Sequence, residues 1–262
     1  MKTIEFIPTN YDSDLTETEW TIIEKYFPQW NSSEYHKRSL VNAVFYIDKA
    51  GCQWRYLPKN YPPHGTVWSF YRRARESGLW EKIMDELVKQ TRIKAGRKAN
   101  ASYGIIDSQS AKTVGSSEER GIDGGKKVKG RKRHIITDIM GNMLAVKVHA
   151  ANIHDTMSGC HVYQSAKNKY PDIEGACGDE GYKGAFVDFV KTKYKNKVDI
   201  SEKIKPKQWE ILPKRWVVER TFSWMNNSRR LSKDYEITVE SEEAFVMISH
   251  LHTLLRRLAN SA

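Results

Sequence analysis

Near residue 100 the apolar residues of this 262-residue chain change their spacing, and that change narrows the folds open to it. Before it they recur every three or four positions, as an amphipathic helix requires. After it they alternate or cluster in short runs, as strands do. In the first part, Thr16 and Glu19 form a capping box ahead of Trp20, Ile22, Ile23 and Tyr26, and Pro28 follows the stop. A second helix is expected over 33–50, with Leu40, Ala43, Val44 and Ile47 on one face and Gly51 as its end. A turn rich in Pro and Tyr precedes a third helix over 66–78, and a fourth over 79–93 carries Trp80, Ile83, Met84, Leu87 and Val88. The polar stretch 94–101 reads as a linker.

The second part opens with a short strand, 103–107. Residues 132–138 and 143–149 are expected as an antiparallel hairpin turned by Gly141-Asn142. Then come a helix (155–170), a strand (173–179), a helix (186–194), a short strand (198–201), a long helix (213–231) and a last helix (241–258). The last helix gathers Ala244, Ile248, Leu251, Leu255 and Leu258 on one face. A hairpin-containing sheet flanked by helices is an α/β architecture, here behind a helical N-terminal module: residues 1–98, then 99–262.

Charge points to a partner. There are 43 Lys and Arg against 32 Asp and Glu, a net +11, and such a field attracts polyanions, nucleic acid first among them. No apolar run approaches the roughly 20 residues that span a bilayer, so no membrane partner is expected. Residues 1–10 lack the apolar core of a secretory leader. Cys52, Cys160 and Cys177, odd in number and far apart, suit a reducing compartment and read as small buried apolar residues. A cytoplasmic protein is expected.

Cutting a DNA phosphodiester requires an activated nucleophile and a stabilised leaving oxygen, which two divalent ions about 4 Å apart supply together. Hard ions such as Mg²⁺ take oxygen ligands, so a few carboxylates must converge. Asp107 and Asp179 each close a strand, and Glu219 sits mid-helix on a rigid element. Each has an ordinary reading too. A strand-end Asp is commonly a turn former, and Arg215–Glu219 has the spacing of a helix surface pair. Against that, Arg215, Glu219, Ser223, Asn226 and Arg230 form one polar stripe on an otherwise apolar helix.

At these residues a resemblance becomes specific. Over nearly its full length the chain resembles bacterial insertion-sequence transposases of the insertion sequence five family, which carry a DDE triad on an RNase H-like fold. LTETEW and NAVFYIDKAGCQWRYLPKNYPP carry it in the first third; IIDSQSAKT, GGKKVKGRKRHIITDIMGN, NIHD, GDEGYKG and RWVVERTFSWMNNSRRLSKDYE carry it in the catalytic part. The resemblance implies that Asp107, Asp179 and Glu219 are the catalytic, metal-holding acids, with Mg²⁺ (Mn²⁺ as the alternative) and two ions per site. It implies double-stranded DNA as partner, both the element's terminal inverted repeats and target DNA. It also implies a homodimer in the synaptic complex, and a bacterial cytoplasm with the nucleoid as workplace. The family's signature around the glutamate has a tyrosine, an arginine and a lysine. Arg215 matches the arginine, whereas Leu212 and Asn226 stand at the other two places, leaving Arg229 or Arg230 to hold the terminal phosphate.

Further cations are candidates for DNA. The run Lys126, Lys127, Lys129, Arg131, Lys132 and Arg133, loosened by glycines, reads as a loop that neutralises phosphates without reading sequence; a solvated loop is the plainer alternative. In the third helix, Arg72, Arg73 and Arg75 beside Trp68 and Tyr71 suit a helix-turn-helix entering a major groove. The alternative places both aromatics in the core. His154-Asp155 reads as a strand-end His and a helix-capping Asp, outside the catalytic set, and Trp209 and Trp224 read as core before they read as stacking platforms. A hydrolysis-only nuclease of the same fold and a DNA-binding regulator are the other functions open to this sequence.

Overall fold

The computed structural model describes residues 6–27, 34–201 and 216–260. Helix α1 (Glu17–Ile23) starts with the expected capping box: Thr16 Oγ1 accepts from Glu19 N at 3.2 Å, and Glu19 Oε2 accepts from Thr16 N at 2.8 Å. Helix α2 (Lys37–Ala50) starts later than its apolar pattern suggests. His36 takes the cap, its Nδ1 accepting from Arg38 N, and Gly51 ends the helix in the left-handed region. Helix α3 (His64–Glu76) begins behind Pro63, two residues before expectation, and α4 (Leu79–Lys94) follows.

The segment read as a linker is tied down. The Arg92 guanidinium donates to the Lys98 and Asn100 carbonyls (2.9 and 3.1 Å) and pairs with buried Asp138 at 2.5 Å. An Arg–carboxylate pair with its remaining donors satisfied is a rigid junction.

The sheet has six strands: β1 (Tyr103–Lys112), β2 (Gly121–Asp123), β3 (Val128–Thr137), β4 (Met143–Ala150), β5 (Gly175–Gly178) and β6 (Lys197–Ile200). Its order is β2-β3-β1-β5-β6, with β4 also on β3. The pairs β1–β3 and β3–β4 are antiparallel, whereas β1–β5 and β5–β6 are parallel. Three antiparallel strands continued by two parallel ones, with helices on both faces, make the RNase H-like arrangement that the resemblance implies.

Two strand expectations need correction. β1 does not stop at Asp107 but runs to Lys112, because β3 pairs with it from Ile105↔Thr137 to Lys112↔Gly130. The basic run is correspondingly not one loop. Only Gly124–Lys127 is a turn, and from Val128 onward the residues belong to β3, held by β2, an element the sequence reading missed.

Helix α5 (Asp155–Lys169) packs on β3 and β4, α6 (Ala185–Tyr194) on α5, and α7 (Trp216–Met225) on β1, β3 and α8. The long helix expected over 213–231 ends at Met225, where a turn through Ser228 intervenes. Ser228 Oγ is held by Asp48 (2.6 Å) on α2, while residues 213–215 lie outside the described residues. Helix α8 (Val239–Ala259) is the spine: Phe245, Ile248, Leu251, Leu254 and Leu255 are fully buried, and it packs on α1, α2, α4 and β4. The helical module and the sheet thus share one apolar core, which runs from Leu15 to Leu258. Cys177 is buried, whereas Cys52 and Cys160 are only half-buried, and none of the three is in a disulfide. Among the described residues no helix is long and apolar enough to cross a membrane.

Candidate active site

Strand pairing places two of the three candidate acids just beyond one matched pair. β1 and β5 run parallel with Ile105 opposite Cys177, the last pair of their register; Asp107 and Asp179 each follow two residues later, and both charges act on the Tyr182 phenol. Both carboxylates are half-buried and both are held by backbone. Asp107 Oδ1 accepts from Ser108 N (2.7 Å), and Asp179 Oδ1 accepts from Gly181 N (2.9 Å), capping the single turn Glu180–Tyr182. Directly paired residues share a face, so Asp107 lies on the face of Ile135 and Arg133, the face α8 covers through Glu242. Ser108 and His134 point to the other.

On that second face lies a carboxylate the sequence reading set aside. The Asp155 Oδ1 accepts from Lys132 Nζ and from Ser108 Oγ, each at 3.0 Å. It is His154, not Asp155, that caps α5. Burial opposes ionisation of Asp155, but the hydrogen bond and charge of Lys132 outweigh it, and its carboxyl lies below the ordinary value. A Cβ on Gly181 would sit 3.0 Å from Asp179 Oδ1 and 3.7 Å from Asp155 Oδ2, so the bare glycine leaves the space between these acids open. The motif NIHD was the available signal for Asp155, but nothing in it says that Lys132 is its partner.

Tyr182 forms the floor. A Cβ on Gly178 would meet its ring at 2.8 Å, so the glycine is what lets the ring lie against the strand. Its hydroxyl lies 2.6 Å from His134 Nε2, His134 Nδ1 lies 3.3 Å from His149 Nε2, and His149 Nδ1 lies 3.0 Å from the Ala150 carbonyl. A carbonyl only accepts, so His149 Nδ1 carries the hydrogen and its Nε2 accepts. His134 Nδ1 then donates, its Nε2 accepts, and Tyr182 donates. Burial, with His149 beside it, lowers His134 to about 3, which keeps it neutral. Burial and the charges of Asp107, Asp155 and Asp179 hold the Tyr182 phenol well above its ordinary value. Tyr182 and His134 are therefore held in one protonation state. They support the acids and do not titrate with them.

Glu219 is on α7, whose buried side is Val217, Val218, Thr221, Phe222 and Met225, and Glu219 itself is exposed. Thr221 Oγ1 donates to the Gly141 carbonyl (2.9 Å) and Arg220 to that of Met140 (3.0 Å), fixing the helix against the β3–β4 turn. Among the described residues no group of three or more His, Cys, Asp or Glu side chains is gathered closely enough to hold a metal ion. Asp107 and Asp179 follow the paired part of β1 and β5, and Glu219 lies on α7, which packs on β1.

The candidate DNA-binding cations divide. Lys126, Lys127 and Lys129 are exposed at the β2–β3 turn, and Arg229 is exposed after α7. Arg131 and Arg133 are 0% and 2% exposed. Arg131 pairs with Asp234 at 3.1 Å and also donates to the Glu118 and Ile237 carbonyls, and Arg133 pairs with Glu242 at 2.5 Å. Those two, expected on a DNA-facing loop, are internal ties. Lys132 is committed to Asp155, and Arg230 is buried on Glu236, 2.5 Å away, so it too is corrected from phosphate ligand to internal pair. Arg215, Leu212 and Trp209 lie outside the described residues. On α3, Arg72 and Arg73 are exposed. Arg72 lies over the exposed Trp68 ring and 3.5 Å from Glu76, whereas Arg75 turns toward Thr238. Tyr71 is core, its hydroxyl bonded to Ser241.

Residues 99–254 match a family model described as a transposase DDE domain. Residues 15–84 match a model for transposases of the IS4/5 family. No curated protein sequence matches the chain at significant similarity.

Proposed function

Because this chain belongs to the DDE transposases of the IS4/5 group, with the DDE domain model covering more than half of it, we propose that it cuts DNA at the terminal inverted repeats of its own element and joins the freed ends to target DNA. Asp107, Asp179 and Glu219 are the acids of that reaction. The observation that supports the reading is the parallel β1–β5 pairing, whose last matched pair, Ile105 and Cys177, precedes Asp107 and Asp179 by two residues each.

The family works with divalent metal. The residues suit it: the donors are carboxylate oxygens, which hard ions prefer, and Gly181 keeps the space beside Asp179 clear of a side chain. Asp107, Asp179 and Glu219 would hold Mg²⁺ or Mn²⁺, two ions per site, and such ions when bound activate water and stabilise the leaving oxygen. The chain's own contribution is orientation. The Ser108 and Gly181 amides aim the two aspartates, Lys132 and Ser108 pin Asp155 behind them, and Tyr182 excludes water from beneath. No side chain needs to act as nucleophile.

Exposed Lys126, Lys127 and Lys129 neutralise phosphates next to the cut, and Arg229 stands in for the signature's missing lysine. Residues 1–98 form the end-binding unit, with Arg72 and Arg73 toward DNA, and 99–262 the catalytic unit. Cutting two ends together calls for a homodimer, working in the bacterial cytoplasm on the nucleoid.

The test incubates the purified chain and Mg²⁺ with duplex DNA bearing the inverted repeats that flank its gene, together with a supercoiled plasmid. Cut ends covalently joined to the plasmid are the expected product. Cutting without joining would make it a hydrolytic nuclease, and binding without cutting would make it a regulator; either overturns the proposal.

A further inference from the structure

Away from the paired aspartates, a cleft of about 640 Å³ opens where the ends of α2 and α8 meet the C-terminal half of α7. Lys49, Arg256 and Arg257 line it together with Trp224, Asn227 and Thr253, and Asp12 is the one acidic side chain among the described residues of its wall. Arg256 donates to the backbone carbonyl of Asp12, which neutralises no charge.

The cations here crowd one another. Arg220 and Arg257 lie 4.7 and 5.2 Å from the centre of the Trp224 ring, and Arg220 is also 4.3 Å from that of Trp216. Trp216, Arg220 and Trp224 fall at i, i+4 and i+8, so one face of α7, the helix of Glu219, presents a ladder of indole and guanidinium planes. Burial lowers Lys49, and Arg256 adds to the effect against the opposing pull of Asp48. Arg257 is lowered by burial and then by Arg220, against Asp138. Arg257 also donates to Asn142 Oδ1 at 3.1 Å. Like charges held together gain from an anion entering between them. The donors on offer (ammonium, guanidinium, amide and hydroxyl) suit phosphate oxygens and read no base sequence.

Building on the transposase reading, we infer that this cleft grips the backbone phosphates of target DNA, holding it without reading its sequence. Lys49 and Arg256 supply the charge, and Trp224 holds the neighbouring guanidinium groups in place.

The test measures binding of the full chain to a fluorescein-labelled 30-base-pair duplex of arbitrary sequence, by anisotropy across a salt series. Two lost phosphate contacts lower the slope of log K against log salt by about 1.8. The double variant Lys49→Gln/Arg256→Gln is expected to show that drop and about tenfold or more weaker binding at fixed moderate salt. Lys82→Gln/Lys89→Gln, which removes the same charge from α4, is expected to keep the parental slope. Circular-dichroism melting verifies that each variant is folded, and Arg256→Gln alone, at an exposed position, is expected to give half the slope change should the double variant not fold. A parental slope in the Lys49/Arg256 variants, or the same loss in the α4 control, overturns the inference while leaving the transposase reading standing. A parent that binds no duplex overturns both. Displacement of the duplex by micromolar ATP, seen with the parent and lost in the double variant, would assign the cleft to free nucleotides and overturn it as well.

Discussion

Lys126 and Lys127 in the turn between β2 and β3, and Lys129 at the start of β3, are exposed, while a few residues along that strand Arg131 and Arg133 are buried against Asp234 and Glu242. In sequence the two groups form one basic run. In the fold the first faces solvent, and the second fastens the segment between α7 and α8 to the sheet, because alternate residues of β3 point to the face α8 covers. The comparison teaches that a cation's role follows from whether an acid meets it. The Arg131 and Arg133 partners arrive from about a hundred residues downstream. The buried pairs hold the frame that carries Glu219's helix, and the exposed lysines are the ones the proposed function gives to DNA.

Breaking the buried side has the largest expected effect. Arg133→Ala takes from Glu242, 0% exposed, the guanidinium it pairs with, and breaking a buried pair by removing one partner costs about 3–5 kcal/mol. Urea unfolding is expected to show that loss, and a change under about 1 kcal/mol would erase the distinction. Buried histidines extend it. His250, pushed down to about 3 by burial and then Arg257, accepts from Met143 N at 2.9 Å and must stay neutral. Because the unfolded chain takes up its proton near 6.5, folding stability is complete above that pH and falls as pH drops toward 3. Between pH 6.5 and 5 the loss is about 2 kcal/mol from this group. His252, lowered by burial and by Arg256 and Lys49, adds in the same direction. Urea midpoints measured across that range check it, and a flat profile would contradict it.

Tyr182→Phe sharpens the comparison with a neutral group. It removes the donor to buried His134 Nε2 and is expected to cost about 1–3 kcal/mol, seen as a lowered denaturant midpoint. On the exposed side, Lys126→Gln/Lys127→Gln/Lys129→Gln is expected to change stability by no more than about 0.5 kcal/mol. The same variant is expected to lower the salt slope of DNA binding by up to about 2.7. A destabilised triple variant with an unchanged slope would reverse the roles assigned to the two halves.

Local features were legible from the sequence: the Thr16–Glu19 capping box, the β3–β4 hairpin (although its turn centres on Ile139 and Met140 and not on the expected Gly141-Asn142) and the apolar face of α8 each depend on residues close in the chain. Partnerships across the chain were not. No periodicity says that Lys132 belongs with Asp155, that Arg230 turns inward to Glu236, or that Ser228 meets Asp48 and ends the run of helix begun in α7. β2 was missed because a three-residue strand has no pattern of its own and exists through β3. At the candidate site, Asp107 and Asp179 were visible as acids closing apolar runs, whereas their neighbour Asp155 looked like an ordinary cap.

In the proposed reaction Asp107, Asp179 and Glu219 act together on divalent metal. The most direct measurement is the Mg²⁺-dependent rate of strand cleavage at an inverted-repeat end, compared for Asp107→Asn, Asp179→Asn, Glu219→Gln and Asp155→Asn, with each variant checked for parental DNA binding. The first three are expected to lose more than about a hundredfold, beyond what loss of an outer-shell partner costs, and Asp155→Asn about 10–100-fold. Cleavage within tenfold of the parent in any of the first three would remove that acid from the site and contradict the account.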